Sequence, residues 1–525
     1  MYLRHLEMVG FRGINRLSIK FRPDMVLIGE NMWGKSSLLS ALSLIFNPEK
    51  HLYQFELGDF HQPQGEPESV KHITLLFSFC EYEKNEDSAD YNRPYVAQNV
   101  FVHHPDGYQR LYLCVEGERN EHNEVFTHYS FLDQNGDPIE VEGIDELVFS
   151  LISRHPVYRF RDARLNSSPH TLKLINMPEN QPEDSLQMEI HAVVLLLRYY
   201  FLNWRSHCEL MQDTSVLWQR VQSLCIKLKQ DETRRLSRKV FRALACLFVG
   251  GEHVHFGRFT HPIILFEDPD ARLHPRMVAI TWEFVSFLPV QRITTTNSVE
   301  LISQVNLTSL CRLVRTPFRT ESFQLRHRDL GKEDFRRLSF HIHHNRSLAL
   351  FSRMWVLVEG ETEVWILSEL AKLLSINLDM EGIRIVEFAQ CGLKPLIKYV
   401  QAMGIEWYVL VDGDDAGRKY RDIAASMLEE GEHIRDRLTI LPRRDIEHFF
   451  YASGFADIFI RLAQWKINHS HVLPVYKIIQ RAIQRTSKPD LALALSSAME
   501  KQGVKSIPLL FKRLFSKVLS LSRGY

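Results

Sequence analysis

Residues 26–39 read VLIGENMWGKSSLL, and this stretch decides the fold of the N-terminal half. Met25 to Ile28 form a short apolar run, as a buried strand does, and Leu38, Leu39, Leu42, Ile45 and Phe46 then recur at helical spacing. Between strand and helix, Gly29-Glu30-Asn31-Met32-Trp33-Gly34-Lys35-Ser36 fits the pattern Gly-x4-Gly-Lys-Ser/Thr. The glycines let the backbone turn tightly enough for successive N–H groups to face a phosphate. Lys35 would then neutralise the outer phosphates, the Ser36 hydroxyl would ligate Mg2+, and the helix would add its positive end. A second acidic element is needed at the end of another parallel strand. His261-Pro262-Ile263-Ile264-Leu265-Phe266 followed by Glu267-Asp268-Pro269-Asp270 supplies it. Glu267 would hold Mg2+ through water, and Asp268 would orient or deprotonate the attacking water.

Outward from this core, Leu17, Ile19 and Phe21 alternate with Ser18 and Lys20, as in a half-buried strand. Residues 70 to 145 read as β-hairpins, with Gln134-Asn135-Gly136 turning between FTHYSFL and PIEVEG. The acidic stretch EYEKNEDSAD at 81–90 is expected to be a solvated loop. From Met188 to Val249 the apolar stripes are helical and wide enough to pack on something, a second copy of the chain included. Residues 312 to 353 carry ten Lys/Arg against four Asp/Glu, which reads as a connector, and the triplet of histidines around Ile342 in it reads as a surface loop.

From Met354 the pattern resets: MWVLV, a helix to about Leu374, IRIVEF, a helix, WYVLV, a helix, RLTIL. Such alternation predicts a parallel sheet with helices on its faces. MWVLV ends in Glu359-Gly360-Glu361-Thr362-Glu363. Glu363 precedes Leu367, Leu370 and Leu374 at helical spacing, so it lies on the apolar, sheet-facing side, where an acid is costly without a cation. WYVLV ends in Asp412-Gly413-Asp414-Asp415, and residues two apart in extended chain point the same way about 6.6 Å apart. Both clusters sit at carboxyl ends of strands, where α/β sheets place ligands. Oxygen-only donors suit Mg2+ or Mn2+ rather than zinc. Glu447, in Arg443-Arg444-Asp445-Ile446-Glu447-His448-Phe449, follows the next strand and would complete a second metal position.

The 525 residues are too many for one hydrophobic core, and 45% apolar with 24% charged residues excludes a disordered, collagen-like or coiled-coil chain. Seven scattered cysteines argue against a disulfide or zinc framework, and so against a zinc-binding primase. No apolar run is long enough to span a membrane, and Arg4 and Glu7 stand where a signal peptide needs apolar residues, so a cytoplasmic location is expected. Lys plus Arg equals Asp plus Glu at 64 each, so a nucleic-acid surface has to be local. From Ala452 onward there are twelve Lys/Arg and three Asp/Glu, a basic stretch suited to a phosphate backbone without base reading.

The N-terminal half resembles the ABC-type ATPase heads of structural-maintenance and OLD (overcoming lysogenization defect) proteins, through GFRGI, VLIGENMWGKSSLL, FEDPDARLHP and TTTNS. The resemblance implies ATP with one Mg2+ bound by Gly29, Asn31, Gly34, Lys35, Ser36, Ser37, Glu267 and Asn297. The sequence departs from the family in having Glu267-Asp268 for the usual acidic pair and Asn297 for a frequent histidine. The signature glycine is missing too, with Leu236-Ser237-Arg238 the nearest candidate. ATP binding rather than rapid hydrolysis is therefore the expectation.

The second half resembles the Toprim fold over about Met354 to Phe450, and the combination resembles the OLD-family nucleases over nearly the whole chain. The expected fold is α/β: an ABC-type ATPase domain (1–187 and 251–320) with a helical insertion at 188–250 for dimerisation. A connector (321–353), a Toprim domain with a Rossmann-like parallel sheet (354–452) and a basic helical C-terminus (453–525) complete it. The resemblance gives Glu359, Glu363, Asp412, Asp414 and Glu447 the task of holding two Mg2+ or Mn2+ for DNA cleavage, and Lys505 that of stabilising phosphorane charge. It implies an ATP-regulated endonuclease acting on DNA as a homodimer, with room for a helicase or another defence or repair partner. Two rivals stand beside it: a structural-maintenance-like DNA-binding ATPase with an inert Toprim half, and a topoisomerase-like enzyme with a DNA-linked tyrosine.

Overall fold

The computed structural model describes residues 1–48, 51–63, 65, 69–160, 185–201, 214–248, 260–271, 273–326, 328–464 and 474–524. Arg272, the Val249–Thr260 approach to the acidic strand except Thr260 itself, and the Trp465–Leu473 stretch lie outside the described residues. The chain forms two compact units, Met1–Gln324 and Leu325–Tyr525.

The strands of the first unit, in chain order, are β1 (Tyr2–Phe11), β2 (Ile14–Lys20), β3 (Asp24–Ile28), β4 (His72–Cys80), β5 (Val102–His103) and β6 (Gln109–Arg119). They continue with β7 (Val125–Leu132), β8 (Val157–Phe160), β9 (Ile263–Glu267), β10 (Gln291–Thr295), β11 (Leu310–Arg315) and β12 (Thr320–Phe323). One sheet runs β2-β1-β4-β6-β5, with β7 also on β6, and its pairings are antiparallel. In β2, Ile14, Leu17 and Ile19 are buried while Asn15, Arg16, Ser18 and Lys20 are exposed, the alternation of a strand with one wet face. The other sheet runs β12-β11-β3-β10-β9-β8, parallel except for the β12 edge. Met25 to Ile28 are all buried, as strands covered on both faces must be. The helix Lys35–Ile45 contributes Leu38, Leu39 and Leu42 to a core shared by both sheets.

Several local expectations are corrected in this unit. The acidic stretch 81–90 is not simply solvated: Glu81 is buried and accepts the Gln109 N–H at 2.8 Å, and Glu86 accepts from the Met1 ammonium at 3.0 Å. PIEVEG forms no strand beyond one bridge, Leu132 to Pro138, because Ile139 and Val141 pack on the core from a loop. The helices of the 188–250 stretch are Ser185–Phe201, Ser215–Gln230 and Arg235–Phe248. Trp218, Val221, Leu224 and Leu228 of the second of these helices are buried, so that stripe packs within this chain. Lys227 and Glu189 tie two of these helices together at 2.8 Å.

The second unit holds β13 (Met354–Val358), β14 (Ile383–Glu387), β15 (Glu406–Val411) and β16 (Leu438–Ile440), parallel in the order β14-β13-β15-β16. The helices Glu361–Leu373, Leu393–Ala402 and Asp415–Ala425 alternate with them. The stretch read as a connector is built into the two units: Thr320–Phe323 pairs with β11, and Lys332–His341 is a helix of the second unit. His343 and His344 belong to a helical turn anchored by buried Ile342, not to a loop. The basic C-terminal helices supply Ile479, Leu495, Phe511 and Phe515 to the same core as Val356 and Leu410, so their apolar faces are structural.

Candidate functional site

In the first unit β3 and β9 flank β10, so the loop after β3, the Glu267 end of β9 and the Thr295–Asn297 end of β10 lie on one edge of the sheet. Gly34 has φ 97°, a conformation that a side chain resists, and its Cβ position would press on Ile14 Cγ1 at 3.0 Å. Asn31 and Ser36 are exposed on the loop and the helix start. Lys35 Nζ donates to the carbonyls of Gly29 and of Glu30, and at 3.4 Å to Asn297 Oδ1. Burial pulls the Lys35 ammonium below its ordinary value, with Asp268 and Glu30 opposing. Asp268 moves the other way, raised by burial and then by Asp270, while Lys35 opposes.

Three placements refine the residue assignments. Ser37 Oγ accepts the Gly13 N–H at 3.2 Å, which ties the helix to the β1–β2 turn. Glu267 is ion-paired with Arg159 at 2.9 Å, a partner that nothing local in the sequence announces. Leu236-Ser237-Arg238 does not present itself as a signature loop: Ser237 is buried, and Asp231 accepts the N–H groups of Leu236 and Ser237 at 2.7 and 3.3 Å.

In the second unit the carboxylates converge from the ends of three parallel strands. Glu359 follows β13, and its Oε2 is buried without a hydrogen-bond partner. Glu363 opens the next helix on the face that carries Leu367 and Leu370 and is 7% exposed, with Oε2 accepting the Gly360 N–H at 3.1 Å. Asp412 follows β15. Asp414, two residues on, caps the next helix by accepting the Gly417 N–H at 2.8 Å. A Cβ at Gly417 would sit 1.9 Å from the Asp412 carbonyl oxygen, so glycine there allows this turn. Glu447 sits in the helix Ile446–Phe450, capped by Asp445, whose Oδ1 accepts the His448 N–H at 2.8 Å and meets His448 Nδ1 at 2.6 Å.

Asp412 is the electrostatic centre. Its carboxyl is pushed up to about 8, by burial first and then by Glu363, Glu359, Asp445 and Glu447. Glu447 is raised to about 7 by burial, with Asp445 and Glu363 adding to it. Glu359 is raised by burial and by Asp414. Two groups absent from the sequence assignment belong here. Asp445 repeats, with Glu447, the two-residue spacing of Asp412 and Asp414, a signal that was available. Tyr420 is raised by burial and then by Glu359 and Asp414, so its phenol lies in their field. Lys505 is exposed in the turn Val504–Ser506.

These residues fit a hard divalent cation in charge and donor type, since every donor is a carboxylate oxygen and one is buried unpaired. Among the described residues no three His, Cys, Asp or Glu side chains already stand in metal-ligating geometry. The caps explain part of this, because Glu363, Asp414 and Asp445 each turn one oxygen to a backbone N–H.

A parallel sheet with a P-loop and a second parallel sheet edged with carboxylates define an ATPase-head-like unit followed by a Toprim unit. Residues 1–349 match a family described as a protein of unknown function (DUF2813), and residues 350–414 match the Toprim domain of overcoming lysogenization defect protein-like chains. The chain belongs to the DUF2813 family and carries an OLD-like Toprim domain. It is similar to the uncharacterized protein YbjD of Escherichia coli K12, 40% identical over 553 residues and covering 100% of both chains. The C-terminal region of the Burkholderia pseudomallei OLD protein is 19% identical over 33% of this chain and 98% of that one, with a TM-score of 0.27. The SMC head domain of Thermotoga maritima is 12% identical over 62% of this chain and 100% of that one, with a TM-score of 0.32.

Proposed function

We propose that the chain is a divalent-metal-dependent DNA endonuclease whose nicking or cleaving centre is the carboxylate cluster and whose nucleotide half regulates it. The observation that carries this reading is Asp412, raised to about 8 among four other acids, an arrangement that a bound cation relieves. Glu359, Glu363, Asp412, Asp414 and Glu447 would hold Mg2+ or Mn2+, with Asp445 beside them. Two such ions supply an activated water and charge stabilisation for the leaving oxygen. Buried Glu363 and the capped Asp414 hold their carboxylates on short, fixed backbone segments. Basic residues of the C-terminal helices, Lys505 among them, would attract the phosphate backbone.

In the first unit, Gly29, Asn31, Gly34, Lys35 and Ser36 would bind ATP with one Mg2+ near Glu267. Asn297 would reach the γ-phosphate, and Asp268 would orient the attacking water. A homodimer through the 188–250 helices, with Val216 and Ile226 still exposed, and a cytoplasmic setting complete the proposal. No helix among the described residues is long and apolar enough to cross a membrane.

A second reading, a DNA-binding ATPase with an inert Toprim unit, draws on the lack of a ready-made ligating trio among the described residues. Supercoiled plasmid incubated with purified protein and Mn2+ or Mg2+, with and without ATP, separates the two. The parent should nick and Glu363→Ala should not, while Lys35→Ala should lose ATP binding by equilibrium dialysis. Nicking by Glu363→Ala at the parent's rate would remove the catalytic assignment.

A further inference from the structure

Beside the acidic centre lies an open cleft of about 550 Å³ lined by Gly413, Asp414, Asp415, Pro442, Arg443 and Arg444. It is formed where two loops meet. One follows β15 and carries Asp412 and Asp414; the other runs from the end of β16 to the helix that begins at Ile446. The Gly413 N–H donates to the Arg443 carbonyl at 3.1 Å, and a Cβ at Gly413 would lie 2.2 Å from that oxygen. The two backbones are therefore in direct contact, with no room for a side chain between them.

The arginine segment is short and constrained. Before it, the Leu441 N–H donates to the Val411 carbonyl at 2.9 Å, and after it the Asp445 cap starts the next helix. Arg443 and Arg444 are both exposed, and neither side chain has a hydrogen bond or ion pair among the described residues. Three of the acids nearest to them already have other partners. Asp414 caps the Gly417 N–H, Asp415 pairs with Arg418 at 3.4 Å, and Asp445 is engaged by His448. Two guanidinium forks thus stand unpaired at the rim of an acid cluster.

We infer that Arg443 and Arg444 form a phosphate clamp for a DNA duplex, gripping backbone phosphates next to the one that meets the carboxylates. The inference rests on the nuclease reading above and adds to it the residues that place the substrate. A free carboxylate ligand would satisfy the guanidiniums but has no reason to approach the acids. A phosphodiester chain does both, because one phosphate meets cations held by the acids while its neighbour meets the fork. Guanidinium offers parallel N–H donors matched to phosphate oxygens, and such contacts are blind to base sequence.

The test is duplex binding by the full chain, with a fluorescein-labelled DNA followed by anisotropy over a salt series in Ca2+. Each lost phosphate contact on B-form DNA lowers the slope of log K against log salt by about 0.9. Arg443→Ala and Arg444→Ala should each lower the slope by about 1, and the double variant by about 2, for unrelated sequences alike. The double lysine variant should keep most of the slope, because charge is retained, and lose affinity, because the fork is not. Removing positive charge beside the acids would strengthen cation binding there, so a weakened DNA complex cannot be ascribed to lost metal. An unchanged slope in the double alanine variant would overturn the clamp, and so would a parent that binds no duplex. The two readings fail separately: a parent that binds through these arginines but never cuts refutes the nuclease, while a cutting parent indifferent to both substitutions refutes the clamp.

Discussion

Asp412→Asn tests the electrostatics on which the metal reading depends. In the parent without metal, the Asp412 carboxyl is raised to about 8, so the folded chain holds a proton that the unfolded chain releases near pH 4. The folded state then binds more protons than the unfolded state between those values, and stability falls as pH rises through the window. The contribution is fully present below about pH 4 and lost once the pH passes about 8. Unscreened, such a shift corresponds to about 6 kcal/mol at 1.4 kcal/mol per unit. Solvent reaches this half-buried group and the acids are mutually coupled, so about 2 kcal/mol is the working figure. Asparagine carries no charge at any pH. Its variant should match the parent below about pH 4 and exceed it by about 2 kcal/mol near about pH 8.5 in EDTA. For a unit of this size that is roughly 4–8 °C in Tm, read by circular dichroism. Saturating Mn2+ should reverse the ranking, because a cation bound to the folded state stabilises the parent more than the variant. If the EDTA difference between variant and parent stays flat with pH, or favours the parent at alkaline pH, the carboxylates are not coupled as described and the cation argument falls.

Two further outcomes follow from close contacts. Gly417→Ala would place a Cβ 1.9 Å from the Asp412 carbonyl oxygen, so the turn must move. It should cost about 1–3 kcal/mol in urea unfolding, and a loss under about 0.5 kcal/mol would contradict the contact. Arg159→Ala leaves Glu267 without its guanidinium, both side chains being mostly buried at 14% and 17% exposure. Breaking the pair should cost about 2 kcal/mol, less than a fully buried pair, and Arg159→Ala/Glu267→Gln should recover part of it in a double-mutant cycle.

The readable parts of the sequence were those whose chemistry is local. The P-loop is legible because glycines, Lys35 and Ser36 must be close in sequence to act together, and β13 and β15 because a strand buried on both faces must be apolar throughout. Glu363 was legible from its helical spacing to Leu367 and Leu370, since burial follows the helical face. What escaped depends on partners distant along the chain. Arg159 meets Glu267 from 108 residues away, and Glu86 meets the chain's first residue. PIEVEG has strand-like alternation, yet Ile139 and Val141 reach the core from a loop, so packing overrides the local preference. The C-terminal helices are basic in composition, yet Leu495 and Phe515 bind them to the core of the sheet, a role that net charge does not reveal.

The two units leave opposite charges under-solvated, and this polarity is a stronger functional argument than either motif alone. Lys35 is a cation pulled below its ordinary value, resting on loop carbonyls that a phosphate oxygen would outcompete as a partner. Asp412 is an acid pulled above its ordinary value by neighbours of its own sign, a strain that grows with each carboxylate brought in. A fold stabilised for its own sake would place a counter-ion in each site, as Arg159 does for Glu267 and Arg292 does for Asp24 at 3.0 Å. Among the described residues, neither Lys35 nor Asp412 has such a charged side-chain partner in direct contact. On the proposed reading the first position would take an anion and the second a cation, the two ligand charges that a nucleotide-regulated, metal-using phosphodiesterase requires.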